Sequence, residues 1–170
     1  MSKSITNIAG KFYRDSYIPN QEITRDMLVN DLHNYSRKNK YPHFVSLEQP
    51  YIKHLDRQFT TNFYFKDWQR IIPTLKEYYG EGIFYIVSGF RSPFELGVNV
   101  HSTGLAMDIL VKDEVDADRL MNAAYMTGIP TIIPAGDIKK GQGHIHLDLA
   151  PPPNHVYDAG IYSGPWGDRN

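Results

Sequence analysis

The chain has 170 residues, 41% hydrophobic and 22% charged, with a formal net charge of −1, which suits one domain with a real core and argues against nucleic acid or anionic membrane as partners. It contains no cysteine, so disulfides and thiolate metal sites are excluded and metal ligands must be histidine and carboxylate. Met1 to Ile8 lacks the apolar core of a secretory signal, and no run approaches the roughly 20 apolar residues of a membrane span.

Glu22 to about Lys38 predicts an amphipathic helix, with Ile23, Met27, Leu28, Leu32 and Tyr35 at helical spacing after the polar Asn20 and Gln21. From Tyr41 to Thr61 proline and aromatic residues break any period, which predicts a long loop wrapping the domain. Asp67 to Tyr79 predicts a helix closed by Gly80, with Pro73 either kinking it or marking its first turn. Ile83 to Ser88 predicts a short buried strand, and Leu105 to Val111 predicts another.

Asp113 to Thr127 predicts a helix that buries Val115, Leu120, Ala123, Ala124 and Met126. Asp113, Glu114, Asp116 and Asp118 invite a calcium reading, but acids favour helix N-termini and the glycine-bearing calcium loop is missing, so a helix start is preferred. Thr131 to Ile133 predicts a strand, and Pro134 to Gly143 a flexible lid-like loop of Gly, Lys and Asp. Pro151 to Pro153 is expected to stop the sheet, and the tail beyond, with its Gly, Tyr and Trp166, to pack over the domain or line the groove. The expected architecture is α+β: a small, mostly antiparallel sheet with helices packed on one side.

The chemistry concentrates in two segments, His101-Ser102-Thr103-Gly104-Leu105-Ala106-Met107-Asp108 and His144-Ile145-His146, which between them offer three ligands of a catalytic zinc and leave a position for water. Residues two apart on a strand share a face, so His144 and His146 look into one pocket while Ile145 and Leu147 face the opposite layer. His101 and Asp108 would lie about 10 Å apart on a helix and about 23 Å apart on a strand, too far to share an ion. The chain must turn between them, and Ser102-Thr103-Gly104 is suitable turn chemistry. Asp148 shares the strand face of His146 and is either a carboxylate orienting that imidazole or a structural one. His33, His43, His54 and His155 have no partner at metal spacing. There is no phosphate-binding glycine loop, and Ser102 lacks the Gly-x-Ser-x-Gly setting of a nucleophile elbow.

His-x-x-Gly-x-Ala-x-Asp followed by His-x-His-x-Asp, with Ser88-Gly89-Phe90-Arg91-Ser92 upstream, resembles the zinc D-alanyl-D-alanine carboxypeptidase family, which includes phage endopeptidase endolysins and shares its fold with the hedgehog signalling domain. The resemblance covers about residues 66 to 150, within a single domain of residues 1–170 whose first 65 residues form a helical and loop region and whose last 20 form a tail. It implies His101, Asp108 and His146 as ligands of one Zn2+, His144 as catalytic acid/base, and Arg91 as anchor for a substrate carbonyl or carboxylate. Ser102 joins Arg91 as a substrate-binding candidate. Asn99 stands where the resemblance implies Ser two residues before the first ligand, and the stretch from Arg91 to His101 is shorter than the resemblance leads one to expect.

These residue types suit amide hydrolysis. Zinc lowers the pKa of bound water toward about 7 and polarises a carbonyl. The guanidinium fork of Arg91 suits an oxyanion, and an imidazole with an ordinary pKa of about 6.5 suits proton transfer to a leaving amine. The expected function is a zinc peptidase cutting peptidoglycan stem peptides, as a phage-type endolysin or tail-borne hydrolase. Its partners are then wall peptide and phage particle proteins, and a protein made in the cytoplasm without an export signal reaches the wall after lysis or on a particle. The alternatives are a D-Ala-D-Ala carboxypeptidase, a non-catalytic wall-binding or particle component, and a hydrolase of some other amide.

Overall fold

The computed structural model describes residues 25–38, 44–55, 62–91 and 99–150. In chain order the elements are helix α1 (Arg25–Lys38), strands β1 (Phe44–Val45), β2 (Ile52–His54) and β3 (Tyr64–Phe65), helix α2 (Trp68–Tyr79), strand β4 (Phe84–Ser88), a 3-10 turn (Val100–Thr103), strand β5 (Ala106–Val111), helix α3 (Glu114–Thr127), strand β6 (Thr131–Asp137), a second 3-10 turn (Ile138–Lys140) and strand β7 (Gln142–Asp148). The class is α+β. A five-stranded sheet runs β2-β4-β5-β7-β6, antiparallel except for the parallel β2-β4 pair, and β1 and β3 form a separate antiparallel pair.

Strand alternation divides the main sheet into two chemistries. Met107, Ile109 and Val111 of β5, Ile145 and Leu147 of β7 and Ile132 of β6 share one face, each at most 1% exposed. They join one core with Ile71, Ile72 and Leu75 of α2 and Leu120 and Ala124 of α3. The other face carries Asp108, His144, His146 and Asp148. A helix-covered apolar face thus supports a polar one.

Helix α2 buries Trp68, Ile71, Ile72, Leu75 and Tyr79 at helical spacing, and Gly80 closes it by donating its N–H to the Lys76 carbonyl. Pro73 lies inside this helix, well past its first turn. Helix α3 is capped by the Asp113 carboxylate, which accepts the Asp116 N–H at 2.8 Å. Asp116 itself receives the Tyr79 hydroxyl at 2.6 Å, the Lys112 N–H at 3.0 Å and Arg119 at 3.1 Å, so its oxygens pin α2 to α3. The acidic run is therefore a capped and ion-paired helix start. Val115 and Met126, expected in the core, are 77% and 59% exposed. They lie on the helix side opposite the buried stripe of Ala117, Leu120, Met121 and Ala124.

Strands form within two expected loops. Within Tyr41 to Thr61, β1 and β2 form, and β2 adds to the sheet edge beside β4. Neither is long enough for alternation to register. The expected lid from Pro134 to Gly143 is a β-hairpin: β6 continues through Pro134 to Asp137, and a 3-10 turn closed by Gly141 at φ 68° returns the chain into β7. Pro134 is accommodated because β6 is the outermost strand, where a missing N–H need not break a ladder. A Cβ on Gly143 would overlap the Ile138 side chain, so this loop-like glycine serves close packing. Expectations for Ile23, His43, His155, Pro151 to Pro153 and Trp166 lie outside the described residues. Among the described residues, no helix is long and apolar enough to cross a membrane.

Candidate metal centre

Three local devices bring the site together. The first is the turn holding His101. The Asn99 side chain accepts the N–H groups of His101 at 2.8 Å and Ser102 at 3.3 Å, while the Ser102 hydroxyl accepts the Asn99 N–H at 3.1 Å and donates to the Asn99 carbonyl at 2.7 Å. Asn99 is thus the cap of the metal turn. Ser102, expected at the substrate, has no exposure and its hydroxyl is committed to that cap, so its place in the site is structural.

Gly104 ends the turn at φ 74°, and a Cβ there would stand 2.7 Å from the Phe65 N and 3.1 Å from the Phe44 ring. Only glycine meets both demands. The Phe65 N–H donates to the Gly104 carbonyl at 2.8 Å, tying the small β1-β3 sheet to the turn.

The second device is a bulge in β4. Ile86 pairs with Ile109, yet Ser88 pairs with Asp108, so β4 carries one extra residue, Val87. Ser88 is turned to the polar face, and its Oγ accepts Arg91 Nε at 2.6 Å. The third is the β5-β7 register, which sets Asp108 opposite His146 and Leu110 opposite His144. Both histidines share the Asp108 face.

His101, Asp108 and His146 form a group whose ligand atoms lie within 4.8 Å of one another and which could hold a metal ion. Backbone and side-chain contacts decide which atoms face inward. His101 Nδ1 lies 3.0 Å from the Gly89 carbonyl, which can only accept, so Nδ1 carries the proton and Nε2 presents its lone pair. That lone pair faces Asp108 Oδ2 at 3.5 Å. His146 Nε2 lies 2.7 Å from Asp148 Oδ2, leaving Nδ1 toward Asp108 Oδ1 at 2.9 Å. Two imidazole nitrogens and a carboxylate therefore converge, and each histidine is held from behind by an acceptor, as metal-binding imidazoles are.

Electrostatics separates the two imidazoles. Burial pushes His101 down to about 4 against the opposing pull of Asp108, so it is neutral at neutral pH. Burial also acts on His146, but hydrogen bonds to Asp108 and Asp148 outweigh it and raise it to about 9. Asp108 is lowered despite burial, by the His146 hydrogen bond and the surrounding histidines.

His144 stands at the open edge with its side chain 31% exposed and Nε2 3.9 Å from Asp108 Oδ2. Arg91 is equally exposed and meets the same oxygen through Nη2 at 3.2 Å. Asp148 is fully buried, bonded to His146 and, through Oδ1, to the Ala150 N–H at 2.9 Å. His54 instead pairs with the buried hydroxyl of Tyr64 at 2.7 Å. Of the expected site residues, His101, Asp108, His144, His146, Asp148 and Arg91 come together, while Ser102 turns into the loop. Ser88, Gly89 and Asn99 are supporting residues that no spacing rule singles out. The chain matches no family model, no curated protein and no solved structure.

Proposed function

We propose that the chain is a zinc-dependent peptidase acting on peptidoglycan stem peptides, as a phage-type endolysin or tail-associated wall hydrolase. The convergence of His101, Asp108 and His146 beneath a reachable His144 and Arg91 carries this reading. The donor set fits zinc: two imidazoles and a carboxylate with no thiolate, the nitrogens oriented by Gly89 and Asp148. A zinc ion held there would supply Lewis-acid polarisation of a carbonyl and a water acidic enough to attack at neutral pH. The resemblance of the His101–Asp108 and His144–Asp148 segments to the zinc carboxypeptidase and endolysin family, with its hedgehog-like fold, directs the choice of substrate.

The chain's own residues supply the remaining steps. His144 Nε2 accepts a proton from the attacking water and returns it to the leaving amide nitrogen. Arg91, its plane fixed by Ser88 and Asp108, directs its remaining N–H donors at a substrate carbonyl or carboxylate oxygen. With a metal bound, His101 and His146 would present lone pairs inward, their other nitrogens facing the Gly89 carbonyl and the Asp148 carboxylate.

Metal analysis of the purified protein together with digestion of purified peptidoglycan tests this. One zinc per chain and released stem peptides are expected, with fragment masses naming the bond. Free D-alanine as sole product makes it a carboxypeptidase. Bound zinc with intact wall leaves a binding module or another amide as substrate, and iron in place of zinc contradicts the hydrolase.

A further inference from the structure

We propose that Ser88 is a positioning residue for the metal centre, acting through Arg91 on the Asp108 carboxylate; this rests on Asp108 being a ligand. Had β4 continued regularly from the Ile86–Ile109 pair, Val87 would stand opposite Asp108 and Ser88 opposite Met107, on the helix-covered face. The extra residue re-aims Ser88 by one position and puts it beside Asp108.

A hydroxyl in that place reaches Arg91 Nε at 2.6 Å, and the same guanidinium reaches Asp108 Oδ2 through Nη2 at 3.2 Å. Contacts through Nε and Nη2 of one rigid plane fix its orientation as one contact could not. The terminal torsion of aspartate is broad, so the plane of the Asp108 carboxylate is set by its partners. Arg91 locates Oδ2, within 3.5 Å of His101 Nε2, and leaves Oδ1 for His146 Nδ1 at 2.9 Å. Ser88 is 6% exposed, and its hydroxyl reaches the site through the hydrogen bond that it accepts from Arg91.

Ser88→Ala changes no charge, so a change in metal binding reports geometry alone. Cobalt(II) titration of the whole chain, followed by its ligand-field absorption, is the test. Ser88→Ala weakens cobalt binding by about tenfold, the lower end of the usual effect of residues supporting a ligand, and shifts the absorption bands. Ser88→Thr, which keeps the hydroxyl, restores both. Arg91→Lys, which keeps the charge and loses the fork, behaves like Ser88→Ala. Wild-type affinity and bands in Ser88→Ala would overturn the proposal.

A metal-independent arm uses melting temperatures of Ser88→Ala, Asp108→Asn and the double variant. A non-additive shift supports the Ser88–Arg91–Asp108 connection, and strict additivity overturns it. Non-additivity in a wild-type chain that takes up no cobalt would keep the connection and remove the metal reading.

Discussion

The carboxylate of Asp148 lies 2.7 Å from His146 Nε2, fully buried and fixed through its other oxygen by the Ala150 N–H. Carboxylates thus flank both ring nitrogens, and once a metal takes the Nδ1 lone pair, Asp148 is the acceptor that would hold the remaining proton on Nε2.

Asp148→Asn should therefore keep the fold and weaken zinc binding by about 10–100-fold. The amide oxygen can still accept from Nε2, but the charge that favours an electron-rich imidazole is gone and the NH2 group then faces the Ala150 N–H, so some stability is lost as well. Competition against a chromogenic zinc chelator measures the change. Unaltered affinity would make Asp148 a structural carboxylate alone.

Glycine substitutions separate backbone conformation from close approach. Gly104 and Gly128 both have positive φ, at 74° and 88°, but a Cβ at Gly128 meets nothing within 4 Å whereas one at Gly104 meets Phe65 N at 2.7 Å. Gly128→Ala should destabilise by about 1 kcal/mol, a melting shift of about 2–4 °C. Gly104→Ala should at least double that and also weaken metal binding, because the backbone it displaces carries His101. Equal shifts for the two would show that the contact at Gly104 relaxes freely.

The raised His146 and the lowered His101 give opposite pH signatures. Protonated His146 stabilises the folded chain fully below its ordinary pKa of 6.5, and that contribution is lost as pH rises through about 9. His101 resists protonation until about 4, whereas the unfolded chain takes that proton near 6.5, so stability falls as pH drops across this window. Ligation requires the His146 Nδ1 lone pair, so zinc binding at pH 7 should release about one proton from this residue and tighten as pH rises toward 9. Calorimetric titration in buffers of different ionisation enthalpy counts the protons. Asp148→Asn, with one flanking charge removed, should release fewer, and identical counts in both proteins would contradict this electrostatic account.

How far these features were legible in the sequence follows from the length scale of each signal. His144 and His146 declare their shared face because alternation on a strand is local, and the need to turn between His101 and Asp108 follows from distances any backbone obeys. The β4 bulge was not legible, since one extra residue at Val87 leaves a normal apolar run. The hairpin from Pro134 to Gly143 is hidden in the sequence because proline and glycine signal a loop unless the strand is outermost and Ile138 packs where a Cβ would be. Val115 and Met126 are apolar but on the wrong side of their helix, which only the tertiary partner decides. Nothing in the sequence tells the Ser102 hydroxyl apart from a substrate contact, whereas the fold uses it to complete the cap with Asn99.

The most direct test is calorimetric titration of zinc into the chelator-treated whole chain and two variants. The wild type should bind one ion, His146→Ala should bind none, and His144→Ala should bind one while losing about 10²–10⁴-fold in turnover, the usual contribution of a proton-transferring side chain. Uptake of zinc by His146→Ala with wild-type stoichiometry and affinity, or no uptake by the wild type, would contradict a metal centre built on His101, Asp108 and His146.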